Sequence, residues 1–459
     1  MSVLRTNPHT ITTVGNATLI AYDEKPILAT DPWIGDEDPA YFGSWVLSHQ
    51  IPNSLKEDIS SSEFIWFSHA HPDHLNPISL ERYKANKILL PDHVGARIFS
   101  AISKLGFQVT VLPDREWVQL SKHIRIQCIT TATQDAVLLI DNCGQLFINL
   151  NDAGPRHCSG YIKSISQTYK HSYLLALAGY GDTDMINFFN EDGSFILPRA
   201  AQKPSVGKQL GNFAKLTGAK AVLPFSSFHQ YQRADSIWAQ KFTTPILAYR
   251  EGLDEQYQYI PPFSTIDCKT LDINTNEPRE FEAEVQQPEV FGDNWSDELN
   301  DQDKRNIENY FERKERIQNY FGFLNFDVGG KMFTLKLQAN SKKGITFSVP
   351  RNSLMTAITY RIFDDLLIGN FMKTTLHNCE SLYEGVGNFA FNVAKCADNG
   401  LAETEEEIHN YHEEYKKRAG YEFIVDSLAD RAKDFLVRFA SKDSKLYSLV
   451  KTAYIRCRP

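Results

Sequence analysis

Cysteine is scarce in this chain of 459 residues: there are seven, at positions 128, 143, 158, 268, 379, 396 and 457. Their odd number, wide scatter and lack of any C-x-x-C pair argue against a disulfide framework and a structural zinc knuckle, and fit a reducing cytoplasm. Basic charge is also in short supply. Lys plus Arg total 48 against 57 for Asp plus Glu, a formal charge of −9, the opposite of what a protein tracking a polyanion needs. Nucleic acid is therefore not an expected partner. No uncharged apolar run reaches the length of a membrane span, and MSVLRTNPHTITTVGN has neither an apolar h-region nor a small-residue cleavage pattern. A non-exported chain without a transmembrane segment is expected, and there is no internal repeat or low-complexity tract.

What the chain does have is material for packed cores, with 42% hydrophobic and 23% charged residues. Up to residue 264, β-rich runs such as KPILAT, EFIWFSHA, IRIQCITT, AVLLID and GQLFINL alternate with turns and a few helical stretches, one of them after Asp92. Residues 265–304 are acidic and rich in Pro, Asn and Asp, which reads as an exposed linker. Residues 305–459 read as a smaller α+β accessory domain. Ile307, Tyr310, Phe311 and Ile317 have helical spacing, KMFTLKLQA and GITFSVP are strand-like, and helices are expected to dominate from Ser353 onward. ETEEEIHNYHEEYKKRAG opens acidic and closes basic before Gly420, the order that complements a helix dipole.

The chemistry is concentrated in EFIWFSHAHPDHLNP, residues 63–77. A buried strand ends at Ser68, and His69, His71, Asp73 and His74 follow within six residues. Alternate side chains of extended backbone share a side, so His69 and His71 can face one ion, and Pro72 bends Asp73 and His74 towards a second. Upstream, Asp31 ends the KPILAT strand, where it can accept a proton from a ligand imidazole, although Asp-Pro is also a common turn opening. Downstream, three strand-end residues are candidates to complete a dimetal site: Asp152 in LFINLNDAG, His229 in AVLPFSSFHQ, and Asp135 in TTATQDAVLLI. Each has a plain alternative, respectively an Asx turn, a loop hydrogen bond and a solvated strand start. His157 reads first as a loop hydrogen-bonding residue.

The H-x-H-x-D-H pattern resembles the signature of the metallo-β-lactamase superfamily, which implies an α/β fold, an αβ/βα sandwich with a one- or two-metal site at the sheet edges. DPWIGDEDPAYFGSWVLSHQIP, FIWFSHAHPDHLNPISL, QDAVLLIDNCGQLFINLNDAGP, LALAGYGDTDMINFF and AVLPFSSF, in that order, resemble the corresponding part of the CMP-N-acetylneuraminate hydroxylases over about residues 11–260. FDDLLIGNFMKTTL at 363–376 is a fainter echo of that family's C-terminal region. The resemblance implies non-haem iron, dioxygen activation and hydroxylation of a small molecule. Carried over, His69, His71, Asp73, His74, Asp135 and Asp152 match metal-binding positions. Asp135 stands where the superfamily usually presents a third histidine, and three carboxylates beside four imidazoles form a hard donor set that suits iron or manganese.

Animal-type hydroxylases of that family carry a Rieske domain, which needs C-x-H and C-x-x-H pairs, and this chain has neither. An oxygenase of this kind would draw electrons from a separate reductase or ferredoxin, or from its substrate. In that reading two irons are bridged by Asp152. In the alternative, zinc or manganese at the same residues activates a water for hydrolysis of a lactone, amide, thioester or phosphodiester. Asp73 and Asp152 are the candidate catalytic carboxylates in either case. The oligomeric state is not encoded in any recognisable motif.

Overall fold

The computed structural model describes residues 8–35, 38–177, 185–197, 205–276, 278–383 and 387–427. Cys457 and the AGYGDTD portion of the resemblance, residues 178–184, lie outside them.

Two mixed sheets form the first part of the fold. The eight-stranded sheet has the spatial order Ile273–Thr275, Ser264–Asp267, Thr10–Thr13, Leu19–Asp23, Lys25–Thr30, Phe64–Trp66, Lys87–Pro91 and Gln108–Leu112. The seven-stranded sheet runs Gln258–Tyr259, Ala221–Phe225, Ser172–Leu177, Gln145–Asn151, Ala136–Asn142, Ile124–Thr130 and Trp117–Gln119. Strand alternation assigns the faces. Leu138 and Ile140 meet Leu19, Ala21, Leu28 and Trp66 in the core between the sheets, whereas Val137 and Leu139 pack with Ile162, Leu210 and Ala214 of outer helices. On the first sheet Ile20, Ala29 and Ile65 likewise turn outward to Ile59 and Ile102. Helices cover both outer faces, so the expected αβ/βα sandwich is the fold observed.

A third sheet of five strands, Phe188–Asn190, Lys373–His377, Gly344–Ser348, Phe323–Val328 and Lys331–Lys336, organises the C-terminal part. Its core of Phe311, Phe326, Phe347, Phe363 and Phe389 is continuous with Trp33, Trp45, Ile186 and Tyr231 of the first part.

The expected exposed linker at 265–304 is different in the structure. Ser264–Asp267 pairs with Thr10–Thr13, Ile273–Thr275 adds a further strand, and Arg279–Glu280 pairs with His49–Gln50. Acidic composition misleads because part of the charge points inward: Asp293 is buried, 2.7 Å from the Arg233 guanidinium, and accepts from Ser353. The sheets do not divide there either, since Phe188–Asn190 belongs to the C-terminal sheet. The apolar stretch 353–376 is two helices, Arg351–Tyr360 and Phe363–Ile368, followed by the strand Lys373–His377. The helix read in ETEEEIHNYHEEYKKRAG is Glu405–Ala419, with Thr404 and Glu407 forming a capping box. Among the described residues no helix is long and apolar enough to cross a membrane.

Candidate metal centre

The strand Phe64–Trp66 lies between Lys25–Thr30 and Lys87–Pro91, parallel to both, so its C-terminal end opens at one edge of the sandwich. There residues 69–74 turn sharply: the backbone N–H groups of His74 and Leu75 both donate to the His71 carbonyl. Asn76 then caps the short helix Pro77–Leu80 and fixes the exit of the loop. The first sheet delivers Asp31 beside it and the second delivers Asp135 and Asp152, because the latter two flank the central strands Ala136–Asn142 and Gln145–Asn151. Asp31 and Asn151 both adopt positive φ, 38° and 47°. Strain of this kind persists where surrounding bonds over-determine the backbone.

Asp31 is fully buried and ties the loop together. It accepts from the Ser68 N–H at 2.7 Å and from Asn151 Nδ2 at 3.2 Å, and its other contact is His74 Nδ1 at 3.3 Å. Burial pushes its carboxyl up, opposed by the charge of His74. With Nδ1–H facing Asp31, a cation that displaces the second proton finds Nε2 as its ligand atom. That atom is buried, closes no hydrogen bond, and stands 3.3 Å from Asp152 Oδ2 and 3.5 Å from Asp73 Oδ2. A ring nitrogen set between two carboxylates is a place for a positive charge, a proton or a metal cation. His69, His74 and Asp152 each offer a ligand atom within 4.8 Å of the others. Asp135 lies outside that group but borders it, with Oδ1 3.9 Å from His69 Nε2, the same separation as Asp152 Oδ2.

Carboxylate charge dominates the local electrostatics. Burial would drive His74 down, yet Asp73, Asp152 and Asp31 carry it well above its ordinary value. Burial would raise Asp152, but His74 and the Ser226 hydroxyl, 2.7 Å from Oδ1, hold it at about 2. His69 moves the other way: burial, then the neighbouring imidazoles, depress it strongly. Asp73 accepts from Tyr41 Oη at 2.5 Å and Asn16 Nδ2 at 2.9 Å. Burial and the Asp73 charge raise Tyr41 well above the usual phenol range, so it remains a donor.

His71 stands between the His69 group and a second one. Its Nδ1 is 2.9 Å from His69 Nε2, while its Nε2 meets Asp364 Oδ2 at 2.9 Å. His71, Asp364 and Asp365 form a second group with ligand atoms within 4.8 Å. Burial and the adjacent Asp364 charge raise Asp365, whereas His71 and Lys395 overcome burial to lower Asp364. The two aspartates were not read as site residues from the sequence. The signal available was FDDLLIGNFMKTTL, whose twin carboxylates open the helix Phe363–Ile368.

His229, expected to complete the second metal's shell, is not brought into either group. Its ring stacks on Trp45 at 3.4 Å, and burial holds it at about 3. The strand His229–Tyr231 pairs with Trp45–Leu47, which turns the imidazole to the indole. His157 is bound to Asp426 through its backbone N–H and stacks on Phe423, away from both clusters. A cleft of about 210 Å³ reaches the centre, lined by Tyr41, Trp45, His71, Asp73, Asp135, Asp152, Leu177, Met185, Ile368 and Lys395.

Two sheets sandwiched between helices, with an H-x-H-x-D-H loop opening at a strand end among buried carboxylates, are the fold and the candidate metal site of the metallo-β-lactamase superfamily. No family profile matches the chain. The cytidine monophosphate-N-acetylneuraminic acid hydroxylase of Sus scrofa is 28% identical over 131 residues, 27% of this chain and 30% of that relative, so under a third of the relative's length is matched. Among solved structures, an isothiocyanate hydrolase from Delia radicum gut bacteria aligns at TM-score 0.38 and 14% identity, over 56% of this chain and 98% of its own. CmlA, a diiron β-hydroxylase from Streptomyces venezuelae, aligns at TM-score 0.33 and 13% identity, over 48% of this chain and 45% of its own.

Proposed function

We propose that the chain is a non-haem diiron hydroxylase that inserts one atom of dioxygen into a C–H bond of a small molecule. The observation that carries the reading is the donor set: Asp73, Asp135 and Asp152 converge on His69 and His74, and Asp364 and Asp365 flank His71. Carboxylates in this excess suit a hard cation such as iron or manganese better than zinc, whose usual ligands are nitrogen and sulfur. The partial similarity to a hydroxylase supports the same reading.

His69, His74, Asp135 and Asp152 would hold one iron, and His71 with Asp364 and Asp365 would hold the other. Reduced iron there supplies the activation of dioxygen. The balance is R–H + O₂ + 2e⁻ + 2H⁺ → R–OH + H₂O, with the electrons coming from a separate reductase or ferredoxin. Trp45, Leu177, Met185 and Ile368 exclude water from the cleft and position the C–H bond. Lys395 at the wall offers a cationic contact to an anionic substrate group. Tyr41 keeps its proton and holds Asp73 in place.

The test is elemental analysis of protein expressed with iron and zinc both available, followed by optical spectra. About two irons per chain, with a near-ultraviolet charge-transfer band that bleaches with dithionite and returns with dioxygen, is the expected result. Stoichiometric zinc with no redox-active band overturns the proposal and moves the search to ester, lactone and phosphodiester hydrolysis.

A further inference from the structure

A second cluster of metal-ligating side chains lies at the far end of the sandwich. The strand Ala136–Asn142 begins beside Asp135 at the centre described above and ends beside Cys143. Around Cys143 gather His9, which precedes the strand Thr10–Thr13, and His123, which precedes Ile124–Thr130. One ring nitrogen from each histidine and the Cys143 sulfur all lie within 4.8 Å of one another. The imidazoles meet edge to face with centroids 4.7 Å apart.

We propose that His9, His123 and Cys143 form a separate binding site for a thiolate-preferring divalent cation of the zinc class, with Asp23 orienting the imidazoles. Two imidazoles and a thiolate are borderline-soft donors, the opposite of the carboxylate-rich centre, so the two sites select different ions. Asp23 Oδ1 stands 2.9 Å from His123 Nδ1, with which it closes a hydrogen bond, and 3.0 Å from His9 Nδ1, with which it closes none. Its other oxygen accepts from the Ser121 hydroxyl and the His123 N–H. A carboxylate that receives the proton of a ligand imidazole fixes the ring's tautomer and orientation. His9 is 4% exposed, and its buried Nδ1, 3.0 Å from Asp23 Oδ1, completes no hydrogen bond, so Asp23 holds that nitrogen and the other ring nitrogen is the one left for a cation. His123 and Cys143 are only partly buried, which leaves an entry path. Sequence spacing hides the site because its members are widely separated and no C-x-x-C or H-x-H pair announces it.

Such an ion would clamp the two sheets together, since His9 and Asp23 belong to the first and His123 and Cys143 to the second. Binding releases the Cys143 thiol proton to solvent as the metal–sulfur bond forms.

The proposal is tested by adding cobalt(II) to the full-length, metal-depleted chain. Neither carboxylate-rich group nor the cleft lining contains a cysteine, so a thiolate-to-cobalt charge-transfer band in the near ultraviolet that depends on Cys143 reports this cluster. The wild type is expected to show the band and to take up about one cobalt more per chain than Cys143→Ser, which loses it. Asp23→Asn is expected to keep the band but to need about 10- to 100-fold more metal. A second measurement needs no variant: zinc should slow alkylation of Cys143 in the wild type about tenfold, read by peptide mass spectrometry. A wild type without the band, a band that survives in Cys143→Ser, or alkylation indifferent to zinc each overturns the site.

Discussion

Asp31 shows how much of the metal centre rests on one residue away from the cleft. It holds the Ser68 N–H, Asn151 and His74 at once, in a backbone conformation that costs energy. Asp31→Asn is expected to weaken metal affinity about 10- to 100-fold while the fold persists, measured by competition against a chelator. His49 gives a pH signature independent of any metal. Buried against Phe228 and Phe263, with Nε2 donating to the Val14 carbonyl, it is lowered by desolvation to about 4. The unfolded imidazole titrates near 6.5, so as pH falls from there to about 4 the unfolded state takes up the proton first and stability drops, by roughly 3 kcal/mol over the window. Denaturant titrations at pH 7.5 and 4.5 should find the loss smaller in His49→Gln by about that amount, with the remainder coming from other buried histidines such as His229. That His69, His71, His74 and Asp152 come close together was legible from local spacing and strand ends, but their grouping was not: the spacing pairs His69 with His71, whereas the structure sets His69 with His74 and Asp152. His71 meets Asp364 across 293 positions, which no periodicity reports. His229 misled because a histidine after an apolar strand looks the same whether it turns to an ion or to Trp45.

At the scale of elements, strands with strict alternation and the capped helix Glu405–Ala419 were readable because short-range patterns determine them. What that helix does was not readable. Tyr411 donates to the Ala132 carbonyl at 2.6 Å, and Gln134 donates to both Tyr411 and Tyr415, so the helix pins the loop that presents Asp135. Thr404→Ala removes one half of the capping box and is expected to cost about 1 kcal/mol in chemical denaturation. The run at 353–376 shows the opposite case. Continuous apolarity does not separate a buried helix from a buried strand, and Lys373–His377 becomes a strand because it pairs with Gly344–Ser348 on one side and Phe188–Asn190 on the other.

For the whole molecule, the reading of two domains joined by a linker meets a shared core. Trp33, Trp45 and Tyr231 pack in one cluster with Phe326, Phe347 and Phe363, and an internal segment of the first half supplies a strand to the last sheet. A chain ended at residue 304 is therefore expected to be insoluble or to bind a hydrophobic dye, and the full chain to unfold in one transition by calorimetry. The same arrangement sets an order of events during synthesis. Asp364 is made 293 residues after His71, with which it pairs. On the proposed ligand set, the nascent chain can bring together His69, His74, Asp135 and Asp152 before the residues that face His71 exist, so the second half of the centre forms only after the C-terminal sheet begins to assemble.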